Sequence, residues 1–226
     1  MIHFAIDKVF NILQENKKNW QDMTLEPLNN NPFLVLAGCL LSLRTQDPVT
    51  RRATERLFAR ADTPHSILLI PESELANLIY PVGFYRQKAR YLREISHILV
   101  ERYDSQVPDT LDELLQLPGV GRKTANLVLT KGFGLPGICV DTHVHRITNR
   151  WGYVRTKTPE QTEMALRDKL SPPYWIPINT VLVLFGQNVC LPRRPRCLQC
   201  PIETYCEKHQ VESGKPPSGL QQGVSQ

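Results

Sequence analysis

Residues 117–123 read Leu-Pro-Gly-Val-Gly-Arg-Lys between two stretches of helical periodicity, and no other segment restricts the fold so tightly. Thr110 to Leu117 has the pattern of a helix, with Leu111, Leu114 and Leu115 on its inner side. Pro118 ends it, because proline cannot continue the hydrogen-bonded turn. Gly119 and Gly121 bracket Val120; glycines there permit positive φ and leave no side chain between backbone and ligand. The next helix is expected from about Arg122, so its unpaired N–H groups and positive dipole end face the same way as the hairpin amides. The result is a helix-hairpin-helix over about 110–131 that can hold a phosphate through the backbone of Gly119, Val120 and Gly121. The plainer alternative is an αα-turn with a glycine C-cap. Pro-Gly-Val-Gly-Arg-Lys as a unit is more specific than such a turn requires.

Lys123 falls in the first turn of that second helix, where the dipole opposes a cation. The hairpin amides oppose it too, and both effects favour the neutral amine that a nucleophile needs. At an unperturbed pKa only about one lysine in a few thousand is neutral at pH 7. A phosphate-contacting lysine without chemistry is the alternative, and spacing alone favours it.

The rest of the chain also reads as helical. Ala89, Leu92, Ile95 and Leu99 recur at three- and four-residue steps, a buried stripe. Asp47-Pro48, Thr63-Pro64 and Thr158-Pro159 each put a capping side chain before a proline at the first helical position. Thr110 with Glu113, and Thr158 with Gln161, fit the capping box. No stretch alternates with period two for long enough to make a strand. These patterns predict an all-α protein of short helices. Its 226 residues suffice for one or two domains, and the segment 211–226 is expected to be flexible.

The longest apolar run, Phe33 to Leu43, stops at Arg44 and is too short to cross a bilayer. Asp7, Lys8 and Glu15 argue against a secretory signal, so the expected location is the cytoplasm, or the nucleoid if the chain binds DNA. The formal charge of +5 is compatible with a polyanionic partner. Its distribution says more: Arg193, Arg194 and Arg196 lie between prolines in a stiff segment flanked by cysteines.

Four of the six cysteines, Cys190, Cys197, Cys200 and Cys206, follow the spacing C-x6-C-x2-C-x5-C. Without an export signal disulfides are disfavoured, and four thiolates suit zinc or an iron–sulfur cluster. One tight pair with two looser single ligands is less usual for zinc, though it leaves zinc open. Cys39 and Cys139 sit in apolar surroundings and read as core residues.

Taken together, Leu-Pro-Gly-Val-Gly-Arg-Lys-Thr-Ala at 117–125, Val-Asp-Thr-His-Val-His-Arg at 140–146 and the cysteine run resemble the endonuclease III family of helix-hairpin-helix DNA glycosylases. The match runs from about Asn31 to Cys206. The resemblance implies a two-domain fold: a six-helix barrel over 25–135, and an iron–sulfur domain of 1–24 plus 136–210 holding a [4Fe–4S] cluster on Cys190, Cys197, Cys200 and Cys206. It implies Lys123 as Schiff-base nucleophile and Asp141 as catalytic carboxylate, although Asp141 also reads as the N-cap of a helix from about Thr142. Phe84 aligns with an apolar wedge that fills the gap left by a flipped base, or else is a core aromatic. Thr124 and His143 are further candidate DNA contacts, and the cysteine cluster would hold the basic loop of Arg193, Arg194 and Arg196 out towards a polyanion.

The implied activity is that of a bifunctional glycosylase and AP lyase, a monomer on double-stranded DNA that carries an oxidised pyrimidine or an abasic site. One departure bears on the substrate. Arg44 stands where family members often have glutamine, opposite the orphaned base, and arginine has no acceptor. Gln46 can take over part of that role, and thymine-mismatch or pyrimidine-dimer glycosylases stay in play. An adenine-mismatch glycosylase fits less well, since Leu34 to Leu43 lacks a glutamate and Lys123 is present. From other classes, a non-catalytic DNA-binding protein and a zinc-containing structural protein remain as alternatives.

Overall fold

A computed structural model describes residues 4–20 and 31–211. Apart from Val211, the tail expectation falls outside these residues, as does the boundary near residue 25. Among the described residues the regular structure is wholly helical. The eleven α-helices are α1 (Ile6–Asn16), α2 (Pro32–Ser42), α3 (Asp47–Arg60), α4 (Pro64–Leu68), α5 (Glu72–Ile79), α6 (Tyr85–Arg102), α7 (Leu111–Gln116), α8 (Arg122–Leu127), α9 (Thr142–Arg150), α10 (Pro159–Lys169) and α11 (Pro177–Asn188). None is long and apolar enough to cross a membrane.

The apolar run from Phe33 to Leu43 becomes α2, and its composition requires burial on nearly every side. Asn31 caps it by accepting the N–H groups of Phe33 at 2.9 Å and Leu34 at 3.3 Å. Val35, Leu36, Ala37, Leu40 and Leu41 are all buried, in one core with the inner faces of α3 to α8. The stripe on α6 supplies Ala89, Leu92, Ile95 and Leu99 to that core. A second core joins Val9, Phe10 and Leu13 of α1 to Val144 and Ile147 of α9, Leu166 of α10 and Leu182 and Phe185 of α11. Helix α1 thus packs against chain more than a hundred residues away rather than against α2.

The caps depart in detail from the sequence reading. Thr63 forms the full capping box, with Ser66 as the reciprocating side chain. Thr158 accepts the Gln161 N–H at 3.2 Å, but the Gln161 amide reaches the Lys157 N–H instead of that of Thr158. Thr110 accepts the Glu113 N–H, and its own hydroxyl turns to the Glu113 carboxylate. Asp47 is a correction. It is the first residue of α3, the N-cap is Gln46, and no side chain caps that end. Proline at position 48 is tolerated in the first turn wherever the cap lies.

Candidate active site and nucleic-acid interface

The hairpin between α7 and α8 forms where the sequence placed it, but its two glycines do different work. Gly119 has φ of +75°, and a Cβ there would lie 2.6 Å from the Tyr91 ring, so only glycine fits. Gly121 is in extended conformation with open space beside it, which corrects the expectation of positive φ at both. Its missing side chain clears the approach to the N-terminus of α8. Val120 is a second correction: its side chain is buried and its N–H bonds the Leu117 carbonyl at 3.1 Å. The Gly119 and Gly121 amides remain for a phosphate, with the first N–H groups of α8. Thr124 is also buried, so only its backbone can take part.

Lys123 projects from the first turn of α8 into solvent. The Cys139 thiol donates to the Lys123 carbonyl at 3.7 Å, which lays the segment entering α9 along that turn. Two residues on, Asp141 caps α9. Its Oδ1 accepts the N–H groups of both His143 at 2.9 Å and Val144 at 2.8 Å. With both cap bonds on one oxygen, Oδ2 faces no hydrogen-bond donor among the described residues. Lys123 and Asp141 each act electrostatically on Cys139 and His143, so amine and carboxylate share one local field.

Burial pushes the His143 imidazole below its ordinary value, against the pull of Asp141. Burial thus favours the neutral ring, and the Arg146 bond to Nδ1 at 3.2 Å places the proton of that form on Nε2. Cys39 and Cys139 are apolar-site residues as read, yet both lie within reach of the Lys123 charge. Burial pushes the Cys39 thiol up to about 12 and that of Cys139 higher still. Both thiols are thereby kept protonated at neutral pH.

Arg44, just past the end of α2, and Phe84, at the N-cap of α6, stand together. Phe84 is 58% exposed, which removes the core-aromatic reading. The Arg44 guanidinium lies over its ring, 5.6 Å from the centroid. Both residues are left-handed, with φ of 52° and 57°. Gln46, exposed at the N-cap of α3, flanks them.

The four cysteines of the run line one cavity together with Arg150, Trp151 and Phe185. Arg150 is buried; it donates to the Cys190 sulfur at 3.4 Å and to the carbonyls of Leu191 and Pro192. The Lys208 N–H reaches the Cys206 sulfur at 3.3 Å. Among the described residues no three His, Cys, Asp or Glu side chains close on a single point as one metal ion requires. Four thiols around a shared space, with N–H groups turned to sulfur, are a donor set that fits an iron–sulfur group. Arg193, Arg194 and Arg196 project from the same loop into solvent.

Comparison with known proteins settles the family. The HhH-GPD superfamily of base excision DNA repair proteins matches residues 37–172. Endonuclease III of Thermotoga maritima is 50% identical over 177 residues, covering 78% of this chain and 83% of its own. The chain belongs to the endonuclease III family. The chloroplastic endonuclease III homolog 1 of Arabidopsis thaliana is 43% identical over 203 residues, and this chain spans 54% of its length. Two solved structures, a non-covalent endonuclease III–DNA complex and a trapped covalent endonuclease III–DNA intermediate, superpose with TM-score 0.80 at 34% identity, covering 92% of this chain and 97% of theirs. A thermostable thymine-DNA glycosylase superposes at 0.78 with 26% identity, covering 89% of this chain and 95% of that one.

Several groups around this site escaped the sequence reading. Lys88 is buried and donates to Leu41 and Leu43 carbonyls beside Arg44. Its signal was position, since a lysine at 88 continues the Leu92, Ile95, Leu99 stripe. Glu163 of α10 grips Arg122, the residue before Lys123, through Nε at 2.9 Å and Nη2 at 2.8 Å. Only the four-residue step to Arg167 hinted at it.

Proposed function

We propose that this endonuclease III family member is a bifunctional DNA glycosylase and AP lyase of base excision repair, acting as a monomer on duplex DNA in the cytoplasm. Lys123 serves as nucleophile and Asp141 as the carboxylate that manages its proton. The observation that carries this reading is that an exposed amine in the first turn of α8 and a carboxylate whose Oδ2 is left open both act on the same two neighbours, Cys139 and His143. The covalent DNA intermediate trapped for the 34%-identical relative supports it. So does the division of the fold into two apolar cores, which we assign to the barrel and the cluster domain.

The target nucleotide must leave the stack before its sugar is reached, at a cost of about a few kcal/mol that is smaller for damaged bases. Phe84 and Arg44 fill the vacated space, while the amides of Gly119 and Gly121 hold a phosphate of the same strand. The neutral amine of Lys123 then attacks C1′. The N–C1′ bond to lysine forms, the glycosidic bond breaks, and the base leaves with the bonding pair. Asp141 Oδ2 takes the proton lost by the amine and stabilises positive charge on the sugar. Nitrogen's lone pair then breaks the C1′–O4′ bond, O4′ takes a proton, and the opened sugar is held as an imine; loss of a C2′ proton from that imine expels the 3′ phosphate and nicks the strand. Cys190, Cys197, Cys200 and Cys206 would hold a [4Fe–4S] cluster, which when bound fixes the loop bearing Arg193, Arg194 and Arg196 against the phosphates. By family resemblance the lesions are oxidised pyrimidines; Arg44 in place of glutamine makes thymine mismatches the second candidate.

Borohydride trapping on DNA with an abasic site tests the chemistry. The wild type is expected to crosslink and Lys123→Ala to lose crosslinking. Crosslinking that survives Lys123→Ala would overturn the assignment. A panel of duplexes with one lesion each, scored separately for base release and nicking, decides between oxidised pyrimidines and mismatched thymine. Absorbance near 400 nm in the purified protein checks the cluster, and a colourless zinc protein would refute it.

A further inference from the structure

Arg44 and Phe84 come from segments forty residues apart, yet the structure joins them through one buried cation. Lys88 lies one turn into α6 and is 5% exposed. Its ammonium donates to the Leu41 carbonyl at 2.9 Å, the Leu43 carbonyl at 2.5 Å and the Thr45 hydroxyl oxygen at 3.2 Å. Three donors meet three acceptors. The two carbonyls belong to the C-terminal end of α2, where the dipole favours a cation. Thr45 Oγ1 also accepts the Gly83 N–H at 3.1 Å, extending the same cluster to the turn before Phe84. A Cβ at Gly83 would collide with the Arg44 carbonyl oxygen, so the two backbones are in direct contact.

This arrangement answers a specific difficulty. Arg44 and Phe84 both hold left-handed backbone, which a residue with a side chain rarely adopts without outside support. Both side chains are exposed, so core packing does not hold them. The support comes from beneath, from the Lys88, Thr45 and Gly83 bonds.

We infer that Lys88 is a positioning residue that locks the Arg44 loop to the Phe84 turn, so that the two side chains enter the base stack as one rigid wedge. The inference rests on the reading of Arg44 and Phe84 as gap-filling residues. Lys88 touches no substrate; it acts through the two that do. Its loss should therefore slow extrusion of a stacked nucleotide and spare chemistry on a sugar that is already accessible.

The test uses the full-length holoenzyme with Lys88→Met, which keeps the apolar stem and removes the donors. Single-turnover base release from a duplex lesion is expected to fall about tenfold or more. Borohydride trapping on a single-stranded abasic site is expected to stay within about threefold of wild type. With 2-aminopurine opposite the lesion, the fluorescence rise that reports unstacking should shrink in parallel with the duplex rate. Equal losses on both substrates would make Lys88 a merely structural residue and overturn the inference, as would an unchanged duplex rate. Should Lys88→Met fail to fold, Thr45→Val removes the acceptor shared by Lys88 and Gly83 and should show the same asymmetry at smaller size; a Thr45→Val enzyme that extrudes normally overturns it. Phe84→Ala separates the two layers. If that variant still unstacks the opposite base, the wedge reading itself fails, whereas a loss in Phe84→Ala without one in Lys88→Met sinks only the role of Lys88.

Discussion

Replacing Glu163 with glutamine should loosen the hairpin helix from α10 by an amount the structure allows us to bound. The carboxylate is 3% exposed and takes two bonds from Arg122 and one from Arg167 Nε at 3.0 Å. Arg167 also donates to Asn126, whose own amide returns to the Arg122 carbonyl, so the group is a closed network across α8 and α10. Burial pushes the Glu163 carboxyl up, but the bonds from Arg122 and Arg167 outweigh it and hold the group below its ordinary value. Arg122 is raised by its bond to Glu163, so both partners report the same favourable pairing.

Glutamine keeps the volume, so no cavity term enters. It leaves two guanidiniums facing a neutral amide whose single oxygen can accept two of the three bonds, while its NH2 meets a donor where the second carboxylate oxygen stood. Removing one partner of a fully buried pair costs about 3–5 kcal/mol. Arg122 and Arg167 are 35% and 25% exposed, and water can reach them once the carboxylate is gone. The expected loss is therefore about 2–3 kcal/mol. Urea unfolding at pH 7 measures it as a lower midpoint with unchanged slope. A double-mutant cycle with Arg122→Met should return a coupling of about 1–2 kcal/mol. Because the folded carboxyl lies below its unfolded value of 4.5, the stabilisation is complete above that pH and is lost as pH falls through the folded value. The gap between wild type and Glu163→Gln should thus hold from pH 7 to 5 and close below. A loss under about 0.5 kcal/mol at pH 7, or additive behaviour in the cycle, would refute the network as a structural tie.

Two further outcomes follow from single side chains. Asp141→Asn keeps a good N-cap, so its melting temperature should stay near wild type while base release falls about 10²–10⁴-fold; full activity would leave Asp141 as a cap only. Burial lowers Lys88 from 10.5 to about 8, so between those values the unfolded chain holds more protons than the native one and native stability rises with pH. Relative to Lys88→Met, urea unfolding should show wild type gaining about 3 kcal/mol across that window, and a flat difference would contradict the burial argument.

What the sequence displayed were features that repeat or cluster within a short stretch. Helix α6 was legible because its stripe recurs within one element. The hairpin was legible because Pro118, Gly119 and Gly121 each exclude most other conformations. The cysteine run was legible because its spacing stays within one loop. What it hid were contacts that join distant segments through one polar atom. Nothing near Glu163 points to Arg122, 41 positions earlier, and nothing near Gly83 points to the Arg44 carbonyl. The misreadings at Gly121, Val120 and Asp47 share a cause. Residue type sets which backbone states are allowed, while the packed neighbours choose among them.

The two hidden contacts have a common logic. Lys88 and Glu163 are buried charges, and neither is where a sequence optimised for stability alone would place one. Apolar residues of similar volume can replace buried ion pairs at little cost or with a gain. What an apolar residue cannot do is fix a loop by direction, because dispersion contacts tolerate sliding where three hydrogen bonds do not. Each buried charge here holds one moving part of the proposed reaction: Lys88 the wedge that displaces the base, Glu163 the turn that presents Lys123. A chain that must push a nucleotide out of a duplex and then meet its sugar needs those parts stiff relative to each other. On this argument, variants of Lys88 and Glu163 should separate stability from rate, and Lys88→Met is the clearer case, because below pH 8 it removes a desolvated charge and a positioning contact in one step.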